Sequence, residues 1–245
     1  MKTSGAKNAK QQSLDLLKLK AVEHQLDDVM EIIDKNHLKK KLVEVEADYC
    51  RNPSEINTVR LGIIYHEVAL NLAFFSKTEF KGYAKKSFDR LTQVFHLTHT
   101  EKELLPFITS YRASALSLVG AETKKLALVG QAFTLFDKAV RDYAAVSYLP
   151  QFLRGSVAEN LPWIFFSKRK FARLDFQSIV TQFEENSEYA NWKVMSFTYL
   201  GLAKQMQHKK FREQSLVYLY KAIALDPHYK AGREKAEELQ HVMMQ

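Results

Sequence analysis

Apolar residues recur along this chain in steps of three and four, the period of an α-helix that buries one face. Ala132, Phe133, Leu135, Phe136, Ala139, Val140 and Tyr143 trace one wide stripe, and Phe171, Leu174, Phe176, Ile179, Val180 and Phe183 trace another. Polar breaks interrupt the stripes at Asn52-Pro53-Ser54, Thr98-His99-Thr100, Ser147 to Pro150, Asn186-Ser187 and Asp226-Pro227-His228. New segments therefore start near residues 54, 101, 149, 188 and 228, at spacings of 47, 48, 39 and 40 residues. A weaker break divides each block, at Ser76 to Gly82, Gly120 to Thr123, Ser167 to Lys170 and Gln207 to Lys210. Each block reads as two helices joined by a polar turn, so 54–98, 101–146, 149–186 and 188–226 are predicted as antiparallel helical hairpins in series. Start signals agree: Ser54 precedes Glu55, Thr100 precedes Glu101 and Glu103, and Pro150 and Pro227 pre-set the incoming chain for a helix.

The ends differ from this middle. Residues 1–12, with Lys2, Lys7 and Lys10 and no acid, read as a basic flexible tail. The segment 13–50 is expected to be helical and to pack on the first hairpin. Its stripe of Leu19, Val22, Leu26, Val29 and Ile33 spans little more than two heptads, too short for a coiled coil. Asn36 and His37 break it, and Leu38 to Ala47 read as a second helix. Residues 228–245 are expected to form a capping helix, with Ala231, Ala236, Leu239 and Met243 turned inward and Arg233, Glu234, Lys235, Glu237 and Glu238 supplying the polar outer face an array needs at its end. The fold class is all-α.

The segment from Thr198 to Tyr229 carries Tyr199-Leu200-Gly201 in its first helix, Ser215, Tyr218, Tyr220, Ala222 and Ile223 in its second, and closes on Ala224-Leu225-Asp226-Pro227. This resembles the tetratricopeptide repeat, in which small residues let two helices approach closely. Arg60-Leu61-Gly62 with Tyr65 is similar to the first-helix half of that motif, and Leu153-Arg154-Gly155 is a looser copy. The turn between Gly201 and Ser215 is about two residues longer than the family's, Ser215 replaces an alanine, the spacings exceed the family's 34 residues, and 101–146 has no Leu-Gly pair. The resemblance implies a divergent, TPR-like right-handed superhelix, with HEAT-like hairpin repeats as the neighbouring alternative. It also implies a groove lined by first helices. Aligning on Gly62 and Gly201 puts Val59, Ile63, His66, Thr198 and Leu202 on that inner face as the partner groove. None is Lys, Arg or Asn, so the carboxylate-gripping subtype of the family does not fit and an apolar or mixed groove does. The plainer reading is that these positions pack against a neighbouring repeat.

Composition narrows the class. With 46% hydrophobic and 26% charged residues the 245-residue chain is neither disordered nor fibrous, and 8 Gly and 5 Pro are too few for a sheet of many hairpins. The apolar run from Leu61 to Phe75 contains His66, Glu67 and Asn71 and falls short of the ~18 residues of a membrane span, so no transmembrane segment is expected. No secretory apolar stretch follows Met1 to Lys10, which favours a cytoplasmic location, with a removed leader left open. A single cysteine, Cys50, excludes an internal disulfide.

Enzymatic signatures are absent: there is no Gly-rich phosphate loop, no Gly-x-Ser-x-Gly elbow and no His-Glu-x-x-His pair. Cys50 reads as a small core residue before it reads as a nucleophile. His96 and His99, with Glu101 and Glu103 close by, read as solvated turn residues before metal ligands. Trp163, Phe165, Phe166 and Phe171 read as helix-interface core before base-stacking platforms.

The net charge of +8 is unevenly placed. Mid-hairpin turns hold Lys77, Lys81, Lys85, Lys86, Lys124, Lys125, Lys168, Arg169, Lys170, Arg173, Lys209, Lys210 and Arg212 against Glu79, Glu122 and Glu213. The opposite turns hold Glu101, Glu103, Glu184, Glu185, Glu188 and Asp226 against Lys102 and Lys230. In a hairpin array these two sets lie on opposite edges, which predicts one basic edge. The function expected is a non-enzymatic scaffold or adaptor, without cofactor, that binds a protein or peptide partner in the groove. The alternative is a basic edge that docks on nucleic acid or on an acidic membrane surface, nucleic acid ranking second.

Overall fold

The computed structural model describes residues 15–72, 76 and 78–245, so the basic tail read at 1–12 and Lys77 lie outside the described residues. Among the described residues there are eleven α-helices and no strand. They are α1 Leu16–Leu26, α2 Lys35–Arg51, α3 Glu55–Asn71, α4 Tyr83–Phe95, α5 Leu105–Thr123, α6 Leu126–Tyr143, α7 Leu149–Glu159, α8 Phe166–Glu185, α9 Trp192–Gln205, α10 Arg212–Leu225 and α11 Arg233–Met244. Side chains set several starts: Asp15 accepts from the N–H of Leu17 and Lys18, Asp34 from His37, Ser54 from Asn57 and Asn191 from Val194. Pro106 and Pro150 occupy first turns, where a missing N–H costs nothing.

Adjacent helices pair as α3 with α4, α5 with α6, α7 with α8 and α9 with α10. The first members also pack side by side in the order α3, α5, α7, α9, which makes an inner row, and the second members flank it. This is an all-helical array compatible with a helical repeat. Small residues sit at its tightest crossings. A Cβ on Gly62 would come within 2.6 Å of Leu91 in α4, and Ser87 of α4 donates to the Gly62 carbonyl at 2.7 Å. The ring of Phe176 in α8 lies against Gly155 of α7 and Gly201 of α9 together. Ser196 donates to Ala222 O at 2.9 Å and Ser215 to Ala203 O at 3.0 Å, tying α9 to α10 where they approach. Arg154 makes a bidentate pair with Asp175 at 2.7 and 2.8 Å and reaches Asp137 at 2.8 Å, so one guanidinium joins α6, α7 and α8.

Several boundaries differ from the pattern reading: Asn36 and His37, expected to break a helix, lie inside α2, and α11 starts at Arg233, not at Pro227. The break expected at Ser167 to Lys170 lies earlier: α7 ends at Glu159, Pro162 opens a 3₁₀ turn, and α8 already runs from Phe166. Thr100 does not start a helix but closes the previous one, donating to Val94 O at 2.7 Å, and α5 begins at Leu105. Finally, α1 stops at Leu26, well before Asn36. The chain from Asp27 to Asp34 is irregular, and Glu31 sits at φ +54°, where a helix cannot continue. At the other end α11 packs on α10 and α9, with Ala231 and Ala236 buried and Leu239 and Met243 half-buried.

Candidate functional site

The inner row is buried on all sides: between Thr58 and Ala69 only Arg60 in α3 escapes burial, and Leu149 to Gly155 in α7 are all buried. A helix apolar all round needs cover on every face. The fourth cover is the chain's own residues 15–33. Arg60 in α3 binds Asp28 through two bonds of 2.6 and 2.7 Å and also donates to Gln25 O. Asn71 at the end of α3 donates to Ile32 O at 3.2 Å, and Lys193 in α9 donates to Met30 O at 3.1 Å. Tyr148, next to α7, donates to Glu23 Oε1 at 2.7 Å and receives Asn191 Nδ2 at 3.1 Å. Leu19, Val22, Leu26, Val29, Met30 and Ile32 are buried. Residues 15–33 thus lie across the inner row from the first hairpin to the last.

The residues expected to line an open groove, Val59, Ile63, His66, Thr198 and Leu202, are therefore corrected to buried positions. They belong to the first and last helices of the inner row, with α5 and α7 between, and do not form one patch. His66 shows the cause at atomic scale: its Nε2 pairs with Ser114 Oγ of α5 at 2.7 Å and its Nδ1 with Glu67 at 3.1 Å, so it is spent on packing between repeats. Where residues 15–33 meet the inner row, Glu23 and Glu31 face a polar cluster of Glu67, Tyr111, Tyr148 and Lys193. Burial pushes the Glu31 carboxyl up to about 8, opposed by Lys193 and reinforced by Glu67, Glu23 and Asp27. Its Oε1 has no hydrogen-bond partner. Burial likewise raises the hydroxyls of Tyr111 and Tyr148 well above the ordinary phenol range, so both stay protonated and Tyr148 acts as donor to Glu23. Glu31, Tyr111 and Tyr148 in this cluster are buried, and Glu23 is its member nearest the surface. What opens to solvent is a shallow cleft of about 280 Å³ beside α1, lined by Lys20, Glu23, His24, Asp27, Glu188 and Asn191.

The mid-hairpin turns carry the second feature. Lys81, Lys85, Lys86, Lys124, Lys125, Arg169, Lys170, Arg173, Lys209, Lys210 and Arg212 are exposed, and Lys168 is half-buried with its ammonium 5.4 Å from the Phe133 ring centre. Of the four aromatics expected in the helix-interface core, two are not there. Phe165 and Phe171 pack on the core, but Trp163 and Phe166 are each 77% exposed, because the earlier end of α7 puts them in a projecting turn. Pro162 was the available signal for that turn. His96 and His99 are exposed at the end of α4 and in the turn after it, and Cys50, expected in the core, is exposed in the last turn of α2. Among the described residues no group of three or more His, Cys, Asp or Glu side chains is arranged to hold a metal ion, and no helix is long and apolar enough to cross a membrane. Compared with known proteins, the chain matches no protein-family profile, no curated protein and no solved structure.

Proposed function

We propose that the chain is a non-enzymatic adaptor of the tetratricopeptide kind, whose inner row binds a protein segment, and that residues 15–33 are the resident occupant a partner replaces. One observation carries this reading: a short helix followed by an irregular strap is tied to both α3 and α9, the first and last helices of the inner row, by backbone-directed bonds from Arg60, Asn71 and Lys193. Bonds to carbonyls read the path of a backbone more than its side chains, so a foreign segment of similar shape meets the same donors. The buried apolar set Leu26, Val29 and Met30 indicates the partner's chemistry, an amphipathic segment with two or three large aliphatic anchors and an acid for Arg60. The Leu-Gly pairs at Gly62 and Gly201 and the closing Leu-Asp-Pro support the family reading.

The test is exchange in trans. In the full chain, Leu26→Ala, Asp28→Ala and Met30→Ala loosen the resident segment while leaving the inner row intact. A labelled peptide of residues 15–34 is expected to bind this variant saturably. It should bind the wild type far more weakly, because a tethered segment competes at roughly millimolar effective concentration. Failure of the peptide to bind, with hydrogen exchange showing 15–33 released and α3 to α10 still protected, would refute the reading.

A further inference from the structure

We propose that the edge formed by the mid-hairpin turns docks on an anionic lipid bilayer, with Trp163, Ile164 and Phe166 entering the interface and the surrounding lysines and arginines holding acidic headgroups. The proposal concerns a different surface from the inner row and stands independently of it.

Contacts tie neighbouring hairpins together near this edge. The Gly82 N–H donates to Glu122 at 2.8 Å, joining the first turn to the second. Lys168 lies over Phe133, joining α8 to α6, and the Arg173 guanidinium lies 5.2 Å from the Phe211 ring centre, joining α8 to the last turn. On this edge three large apolar side chains crowd into four residues of one projecting turn, with Ile164 47% exposed beside Trp163 and Phe166. Single exposed apolar residues are ordinary, but a cluster ringed by cations is not. Leu126, exposed beside Lys124 and Lys125, adds a smaller apolar point at the neighbouring turn.

Several of the cations also sit where a helix dipole does not favour positive charge. Lys168, Arg169 and Lys170 occupy the opening of α8, and Lys85 and Lys86 that of α4, and neither first turn carries an acid. The positive end of a helix dipole disfavours cations there. Within the fold Lys85 pairs with Asp89, Lys86 lies over Tyr83 and Lys168 over Phe133, which offsets part of that cost. At the between-hairpin turns Glu101, Glu184, Glu185 and Glu188 are exposed, so the two sets of turns differ in sign and an anionic surface is drawn to the mid-hairpin set.

The apolar cluster decides between the two polyanions. Single-stranded nucleic acid is held in a charged groove by rings that stack on bases, and an isoleucine at the tip of a projecting turn offers no such platform. Tryptophan, phenylalanine and isoleucine flanked by lysine and arginine are what the headgroup region of a bilayer accepts, the rings sinking to the acyl boundary while ammonium groups stay with phosphates.

The experiment uses the full chain with Trp192→Phe, which leaves Trp163 as the one tryptophan of the two in the sequence. It is mixed with vesicles of phosphatidylcholine alone or with about 30% phosphatidylserine. Expected are flotation with the phosphatidylserine vesicles, a blue shift of Trp163 emission, quenching by brominated acyl chains, and weakening with salt. Phe166→Asp, at an exposed position, should cost about tenfold or more in partitioning. Arg169→Glu, Lys170→Glu and Lys209→Glu together should cost more than about tenfold, while Lys40→Glu, Lys138→Glu and Lys235→Glu should cost less than about threefold. Equal losses from the two charge reversals reduce the effect to net-charge attraction and overturn the proposal. So does flotation without a Trp163 shift, or binding to an oligonucleotide but not to vesicles.

Discussion

Phe176 is the side chain on which two hairpins turn, since its buried ring fills the space that Gly155 and Gly201 leave on either side of α8. Glycine inside a helix costs roughly 0.5–1 kcal/mol relative to alanine, so a pair on one ring is retained for the close approach it allows. A Cβ on Gly201 would fall inside the ring's van der Waals surface, and a fully buried phenyl has nowhere to swing. Gly201→Leu should therefore destabilise by about 2–3 kcal/mol despite the propensity gain, lowering the melting temperature by roughly 5–10 °C. Gly130 in α6 is the internal control. Nothing lies within 4 Å of its added Cβ, so Gly130→Ala should raise stability by about 0.5–1 kcal/mol. Thermal unfolding of both variants checks the pair, and a Gly201→Leu chain that melts at or above wild type would contradict the packing described.

At the scale of elements, the last helix shows how an array ends. Asp226 accepts from the backbone N–H groups of Lys230, Ala231 and Arg233, which fixes the turn that brings α11 back over α10, and Met243 reaches Ser215. Truncation after Tyr229 removes those donors and strips the cover from α9 and α10. The truncated chain should lose monomer in size-exclusion chromatography and bind a hydrophobic dye; an unchanged monomer would show that α11 covers nothing essential. The capping helix was readable in advance because the motif is local, a Leu-Asp-Pro stop followed by an amphipathic stretch. The hairpins and the crossings at Gly62 and Gly201 were readable for the same reason. The occupied inner row was not. The stripe Leu19, Val22, Leu26 and Val29 announces a buried face, but the contact of Glu23 with Tyr148 spans 125 residues and leaves no local trace. Nor could a groove residue such as His66 be told from a packing residue, since both are apolar-flanked positions on a first helix. The polar run Ser167 to Lys170 is a stronger break signal than Pro162, so the true turn at 160–165, and with it the exposure of Trp163 and Phe166, is not legible from pattern alone.

On the scale of the whole molecule, the docking of residues 15–33 couples hairpins that otherwise touch only their neighbours, and Glu31 makes that coupling depend on pH. The docked carboxyl titrates near 8, whereas a released one titrates near its ordinary 4.5. Burial is the main cause, with Glu67, Glu23 and Asp27 repelling the anion and Lys193 only partly offsetting them. Between those two values the docked form holds a proton that the released form has lost, so docking is strongest below about 4.5 and weakens as pH rises through 8. One linked proton changes the docking equilibrium by at most about tenfold per pH unit within that window. The segment is thus held firmly in mild acid and loosely in mild alkali, and proteolysis between Asp27 and Asp34, the irregular part of the strap, reports it. Wild-type chain should be cut increasingly from pH 6 to pH 8.5 once protease activity is normalised on an unstructured peptide. Glu31→Gln, which keeps the shape and removes the charge, should be cut slowly and equally across that range. If the two chains show the same pH profile, Glu31 does not govern the docking, and the coupling along the inner row is insensitive to this proton.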